Sequence, residues 1–187
     1  MTLSVESRKS EASWSASLLI GSKNVIYQIS KWAAIISIIT IFVSLLMGVA
    51  TRYLFSTNIG WVAEIPNLFF PWLTMGAIVA AAAKNEHIGI DLMVEKLPKF
   101  PKKIVILSVN VIALVAFSTM AYHGLNVVDI AGGQRFPITR LGMSWAYWSV
   151  VVGFAGLALI ALVNIALILM GVEEQSAPQI SRGEEGI

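Results

Sequence analysis

Residues 65–83 carry no charged side chain, although Glu64 and Lys84 stand at either end of the run. At 1.5 Å per helical residue this run covers ~28 Å, about one hydrocarbon core. Lipid offers no water to satisfy backbone N–H and C=O groups, so a segment of this length and composition folds as a transmembrane helix. Its ends agree with that reading. Glu64 falls where the helix dipole favours an anion, and Pro66 falls in the first turn, where a missing N–H costs least. Pro71 lies deeper and takes away the helical partner of the Asn67 carbonyl, so a kink or a hydrogen bond from a neighbouring helix is expected there.

Three further runs share this character. With 57% of its 187 residues hydrophobic and 13% charged, the chain is expected to be an all-α integral membrane protein. Its four transmembrane helices are expected near residues 32–51, 65–83, 104–128 and 145–170. The first run is too long for the core of a signal peptide and reads as a retained span. Trp145 and Trp148 suit a headgroup-level aromatic belt at the start of the fourth. Residues 1–31 are read as a polar tail in which Trp14, Leu18, Leu19, Val25 and Ile26 could line an interfacial helix, and residues 173–187 as a second polar tail. The charged, proline-punctuated linker 84–103 is read as a short interfacial segment between helices 2 and 3.

Ten of the 13 Lys and Arg residues lie in the two tails and this linker, and only Arg52, Arg135 and Arg140 lie in the other connections. Both termini are therefore expected in the cytoplasm. A net charge of +2 is too small to suggest nucleic acid, and with no cysteine the chain holds neither a disulfide nor a thiolate site.

Ionisable groups inside a span are functional by default, and no span here holds a central Asp, Glu, Lys or Arg. A self-sufficient ion-coupled transporter would need such a group or a broken helix near the midplane. A small four-helix drug exporter would need a carboxylate in its first span, where this sequence has none. The polar groups at mid-depth are Ser37, Thr40, Ser44, Thr74, Ser118 and Asn164, read as helix-to-helix or backbone hydrogen-bonding groups. His87 and His123 fall at opposite ends of their spans, ~30 Å apart by helical rise, so one haem cannot bridge them. His87 and Asp91 are four residues apart and could interact on a helix, but one pair is a weak metal signal. No cofactor is expected.

Along helix 2, Gly76, Ala80, Ala83 and, if the helix continues, His87 share one face bordered by Trp72. Ser149, Gly153 and Gly156 make a similar strip on helix 4, and both strips are read as packing surfaces. Helix 1 has only Ser44 and Gly48 of this kind and is read as facing lipid or a partner. Arg52 and Glu64 could pair with each other or with a second protein.

Arg52-Tyr53 with Phe55, then Trp61 and Glu64, Phe70 and Trp72, Gly76-Ala77, and finally His87-Ile88 with Asp91 form an ordered set. That set resembles the small permease subunit (DctQ-like, or Q) of tripartite ATP-independent periplasmic (TRAP) transporters. Motifs carry the resemblance over helices 1 and 2 and their linker, and size and four-helix topology extend it over the chain. It departs at Ala63, where members often carry a second acidic residue, so no role for a paired carboxylate is implied. The resemblance implies a non-catalytic subunit of the bacterial inner membrane, packed on a large permease subunit and supporting it. That permease would move an organic acid, a C4-dicarboxylate or a related carboxylate, with sodium ions after delivery by a periplasmic binding protein. Arg52, Glu64, Arg135 and Arg140 are then expected to contact the binding protein, and His87 and Asp91 to fix the linker. Tyr53, Trp61, Trp72, Gly76 and Ala80 complete the set expected at partner interfaces or in structural roles. Lipids are the further partner expected. The other class open to such a chain is a haem- or quinone-binding anchor of an oxidoreductase whose catalysis resides on a soluble partner.

Overall fold

The computed structural model describes residues 3–54, 59–84 and 99–170. They form α1 (Leu3–Leu54), a 3-10 turn (Gly60–Ala63), α2 (Glu64–Ala83), α3 (Lys99–Gly132) and α4 (Ser144–Leu169). Among the described residues, four stretches are long and apolar enough to cross a membrane: Ser17–Leu54, Gly60–Ala83, Pro101–Gly132 and Ser144–Leu169. The all-helical, four-span architecture expected from the sequence is the one observed. Residues 85–98 of the expected interfacial linker, with His87 and Asp91, and the C-terminal tail lie outside the described residues, while residues 99–103 of that linker are helical and open α3.

α1 packs on α2, α2 on α4, and α4 on α3, with only a minor contact between α1 and α4. The helices thus form an open row in the order α1, α2, α4, α3, and large apolar side chains stay uncovered along it, among them Ile36, Ile39, Phe42 and Leu46 on α1 and Ile112 and Val115 on α3. What holds the row together is close approach at small residues. A Cβ added at Gly76 would lie 2.9 Å from the Ser30 carbonyl oxygen and 3.2 Å from the Ala34 nitrogen, so α1 and α2 meet there backbone to backbone. On the adjoining strip of α2, the Met75 side chain packs against Gly153 of α4 and Val79 against Gly156. α3 meets α4 where Gly124 accepts Val151.

Val79, Ala82, Ala83, Leu157 and Ile160 form the buried core, and Ile26, Tyr27, Phe117 and Phe154 pack against it, so all four helices contribute. One polar contact here joins two helices of the row. Asn164 Nδ2 on α4 donates to Asn110 Oδ1 on α3 at 3.3 Å, while Asn110 Nδ2 donates to the Ile106 carbonyl at 2.9 Å. Ser149, the most deeply buried polar side chain at 1% exposure, donates to the Ala146 carbonyl of its own helix and needs no partner elsewhere.

Two details differ from expectation. α1 is helical from Leu3, and Leu19, Ile26 and Tyr27 pack against other helices, so residues 17–31 belong to the helix row rather than to a tail. The cause is register: Lys84, just after α2, lies beside Tyr27, and the 3-10 turn before α2 lies beside Ser44, which draws the N-terminal half of α1 into contact. The other difference is at Pro71. α2 continues through it, Thr74 Oγ1 donates to the Phe70 and Pro71 carbonyls at 3.0 Å, and the bond that crosses to a neighbour comes instead from Trp72 Nε1 to the Trp145 carbonyl at 3.2 Å.

Gly76→Leu should force α1 and α2 apart at a backbone contact, costing about 1–3 kcal/mol. A thermal melt of the purified chain in detergent should show the loss, and an unchanged midpoint would contradict the close approach. Asn164→Leu removes one interhelical bond and should cost about 0.6 kcal/mol by the same measurement.

Candidate functional site

Of the expected site residues, Arg52, Tyr53, Trp61, Glu64, Arg135 and Arg140 lie at the end of the row where α1 stops and α2 starts. The 3-10 turn is held from both sides there. Ser44 Oγ of α1 donates to the Val62 carbonyl at 2.7 Å, and the Val62 side chain fits over Gly48, where a Cβ would lie 3.3 Å from it. From the other side, the Ile138 side chain sits on Gly60 at a distance that leaves no room for a Cβ.

Glu64 closes the arrangement. Its carboxylate accepts hydrogen bonds from the Ile138 N–H (2.9 Å), the Thr139 N–H (2.8 Å) and the Thr139 hydroxyl (2.7 Å), and the side chain is only 8% exposed. These donors lie 74 and 75 residues further along the chain. The pairing with Arg52 weighed from the sequence does not form: Arg52 is exposed in the last turn of α1, and the carboxylate is engaged by the α3–α4 loop.

That loop is shaped to present two successive amides. Phe136 N–H donates to the Leu141 carbonyl at 2.9 Å, Met143 N–H to Gln134 at 3.0 Å, and Arg140 N–H to Phe136 at 3.1 Å. Arg140 takes a left-handed backbone, φ 59°, which tightens the turn around residues 137–140. Consecutive N–H groups in such a turn make a concave anion cradle, and here the anion is the protein's own carboxylate. Phe136 is buried beneath the loop, while Arg135 and Arg140 remain exposed. Trp72 ties the level below, its ring 5.6 Å from that of Trp145.

Exposed around this cap are Arg52, Tyr53, Trp61, Arg135 and Arg140. Beside it an open groove of about 410 Å³ is lined by Leu68, Leu141, Gly142, Ser144, Trp145 and Trp148. Gly76 and Ala80 lie further down α2, Gly76 against α1 and Ala80 on a second groove near Lys84. No group of three or more His, Asp or Glu residues gathers among the described residues, and His123 is exposed on α3 with its ring against Tyr122. Sequence reasoning marked Glu64, Arg135 and Arg140 but missed Ile138 and Thr139, whose contribution is mainly through backbone amides. It also missed Asn110, for which an amide in an otherwise apolar run was a usable signal.

Residues 41–170 match the family described as tripartite ATP-independent periplasmic transporters, DctQ component. The chain belongs to this family. That matched region includes the whole cap, from Ser44 to Trp145, and most of the helix row. Among relatives of this DctQ-family chain, a putative TRAP transporter small permease protein of Haemophilus influenzae is 23% identical over 65% of this chain and 74% of its own length. The sialic acid TRAP transporter small permease protein SiaQ of Vibrio cholerae is 23% identical over 85% of this chain and 90% of its own. Two others are much longer. The chain spans 26% of the uncharacterized protein y4mM of Sinorhizobium fredii, at 29% identity, and 21% of the sialic acid TRAP transporter permease protein SiaT of Haemophilus influenzae, at 27%.

Glu64→Gln replaces one acceptor oxygen by a donor facing donors, and Glu64→Ala removes both. Hydrogen exchange of the Ile138 and Thr139 amides should accelerate by about tenfold or more in either variant, and by less in Thr139→Val, which keeps both amide bonds. Equal exchange in wild type and Glu64→Ala would refute the cradle.

Proposed function

We propose that this DctQ-family chain is a non-catalytic scaffold subunit, packed on a large permease subunit in the bacterial inner membrane. It braces that subunit while the latter moves an organic acid, a C4-dicarboxylate or related carboxylate, with sodium ions after delivery by a periplasmic binding protein. The observation that carries this reading is the open row of helices, closed within by apolar packing and uncovered on its outer surfaces. Such a row supplies long apolar surfaces for another membrane protein to cover. The relation to SiaT supports the same reading. A segment like this chain makes up 21% of that permease protein, as expected if the small unit works in fixed association with a larger one.

With Lys84 and the Lys-rich linker facing the cytoplasm by the positive-inside rule, the Glu64 cap faces the periplasm. Its rigidity then has a use. Arg135 and Arg140 stand exposed on a loop whose backbone Glu64 holds, with Arg52 exposed at the end of α1, and a fixed cluster of positive charge of this kind steers a partner of complementary charge.

Co-purification from the native host is the primary test: a tagged chain extracted gently should bring with it a large polytopic permease, identified by mass spectrometry. Recovery of a flavin or iron–sulfur protein, or a Soret band in the purified material, would instead indicate a redox anchor. The docking role has its own test. Asn tolerates a left-handed backbone, so Arg135→Gln with Arg140→Asn removes two charges and keeps the loop. Uptake in reconstituted vesicles at limiting binding protein should fall several-fold while complex yield is unchanged; unaltered uptake would remove these arginines from docking.

A further inference from the structure

Between α1 and α2, at the end of the row away from Glu64, runs an open groove of about 400 Å³. Alanines 34, 77, 80 and 81 line it, and Lys31 and Lys84 stand beside them. Both ammonium groups converge on one ring: Lys84 Nζ lies 5.1 Å, and Lys31 Nζ 5.8 Å, from the centroid of Tyr27. Two like charges gathered at one ring repel, and none of the described residues lining the groove is acidic. Lys84 also opens the polar stretch Lys84-Asn85-Glu86-His87, which sets this end of α2 at the membrane boundary, with the alanines running from it toward the interior. The groove therefore asks for an anion at its head and hydrocarbon along its length.

We propose that it seats one anionic phospholipid from the leaflet on the Lys84 side, with the phosphate between the Lys31 and Lys84 ammoniums and an acyl chain along Ala34, Ala77 and Ala81. Tyr27 positions both cations through its ring face. Lys31 lies one turn deeper on α1 than Tyr27, and its stem reaches back along the helix to bring its charge to the same level. A partner helix fits less well, because from Ala77 to Lys84 the groove is only about two turns long, ~10 Å, and apolar side chains there would desolvate two ammoniums without neutralising them. A zwitterionic lipid offers the same chain but a phosphate already balanced by its own cation.

The test is native mass spectrometry of the full chain in detergent, exchanged with equal amounts of phosphatidylglycerol and phosphatidylcholine of identical acyl composition. One phosphatidylglycerol should be retained, with a preference of about tenfold or more. Lys31→Gln with Lys84→Gln should abolish the preference, and Ala77→Phe should lower retention with both lysines present. Lys102→Gln with Lys103→Gln, which removes two exposed cations on α3, should change nothing. Equal retention of the two lipids by the wild type, an undiminished preference in Lys31→Gln/Lys84→Gln, or full competition by glycerophosphoglycerol, the headgroup without chains, would overturn the proposal. Should the double lysine variant fail to fold, the wild-type comparison and Ala77→Phe decide it.

Discussion

α2 lies between α1 and α4, and the fold rests on how closely it can approach both. Lipid is as apolar as leucine, so no hydrophobic gain drives helices together within a membrane; van der Waals contact has to do it, and contact needs small residues. Gly76 supplies this toward α1, and Gly153 and Gly156 supply it toward α2 from the side of α4. The two approaches use neighbouring strips of one helix, Gly76 toward α1 and Met75 with Val79 toward α4, so α1 and α4 both flank α2 while touching each other little. The row stays open because α3 packs mainly on α4 and does not return to α1.

Such a row is open to shearing, since each helix is held mainly by its immediate neighbours. The cap at the start of α2 counters this by linking elements that the row keeps apart: α1 through Ser44 and Gly48, the 3-10 turn through Val62 and Gly60, and the α3–α4 loop through Glu64. Further along, Asn110 and Asn164 join α3 to α4. The polar residues of this chain thus act where apolar packing alone would leave helices free to slide. The bracing role proposed above would have use for that stiffness.

The two ends of α2 differ in how they treat charge. At one, a carboxylate is met by amides and a hydroxyl from its own chain, so its partners come with the fold. At the other, two ammoniums meet an aromatic ring, whose face attracts cations without neutralising them. The first end is complete in itself and the second is open to a ligand.

Much of the architecture was legible in the sequence, because a bilayer imposes length and composition so strictly: uncharged runs near 30 Å announce spans, and small residues at helical spacing announce close packing. The strip at Gly76 and the strip at Ser149, Gly153 and Gly156 could be read for that reason. The partners of Glu64 could not. Ile138 and Thr139 lie more than seventy residues away and act chiefly through amides that every residue but proline possesses, so side-chain chemistry gives no signal of them. Nor could the register of α1 be read, since an uninterrupted apolar helix can slide along its neighbour without changing its composition; the contact of Ser30 and Ala34 with Gly76 decides it. The sequence by itself determined four membrane helices and the small-residue strips of α2 and α4, because hydrocarbon solvation acts on each segment independently; the face by which α1 packs on α2, at Ser30 and Ala34, was not among them. Their order in the row, the burial of Glu64 and the meeting of Lys31 with Lys84 were decided only by tertiary structure, because each depends on which distant backbone the folded chain brings alongside.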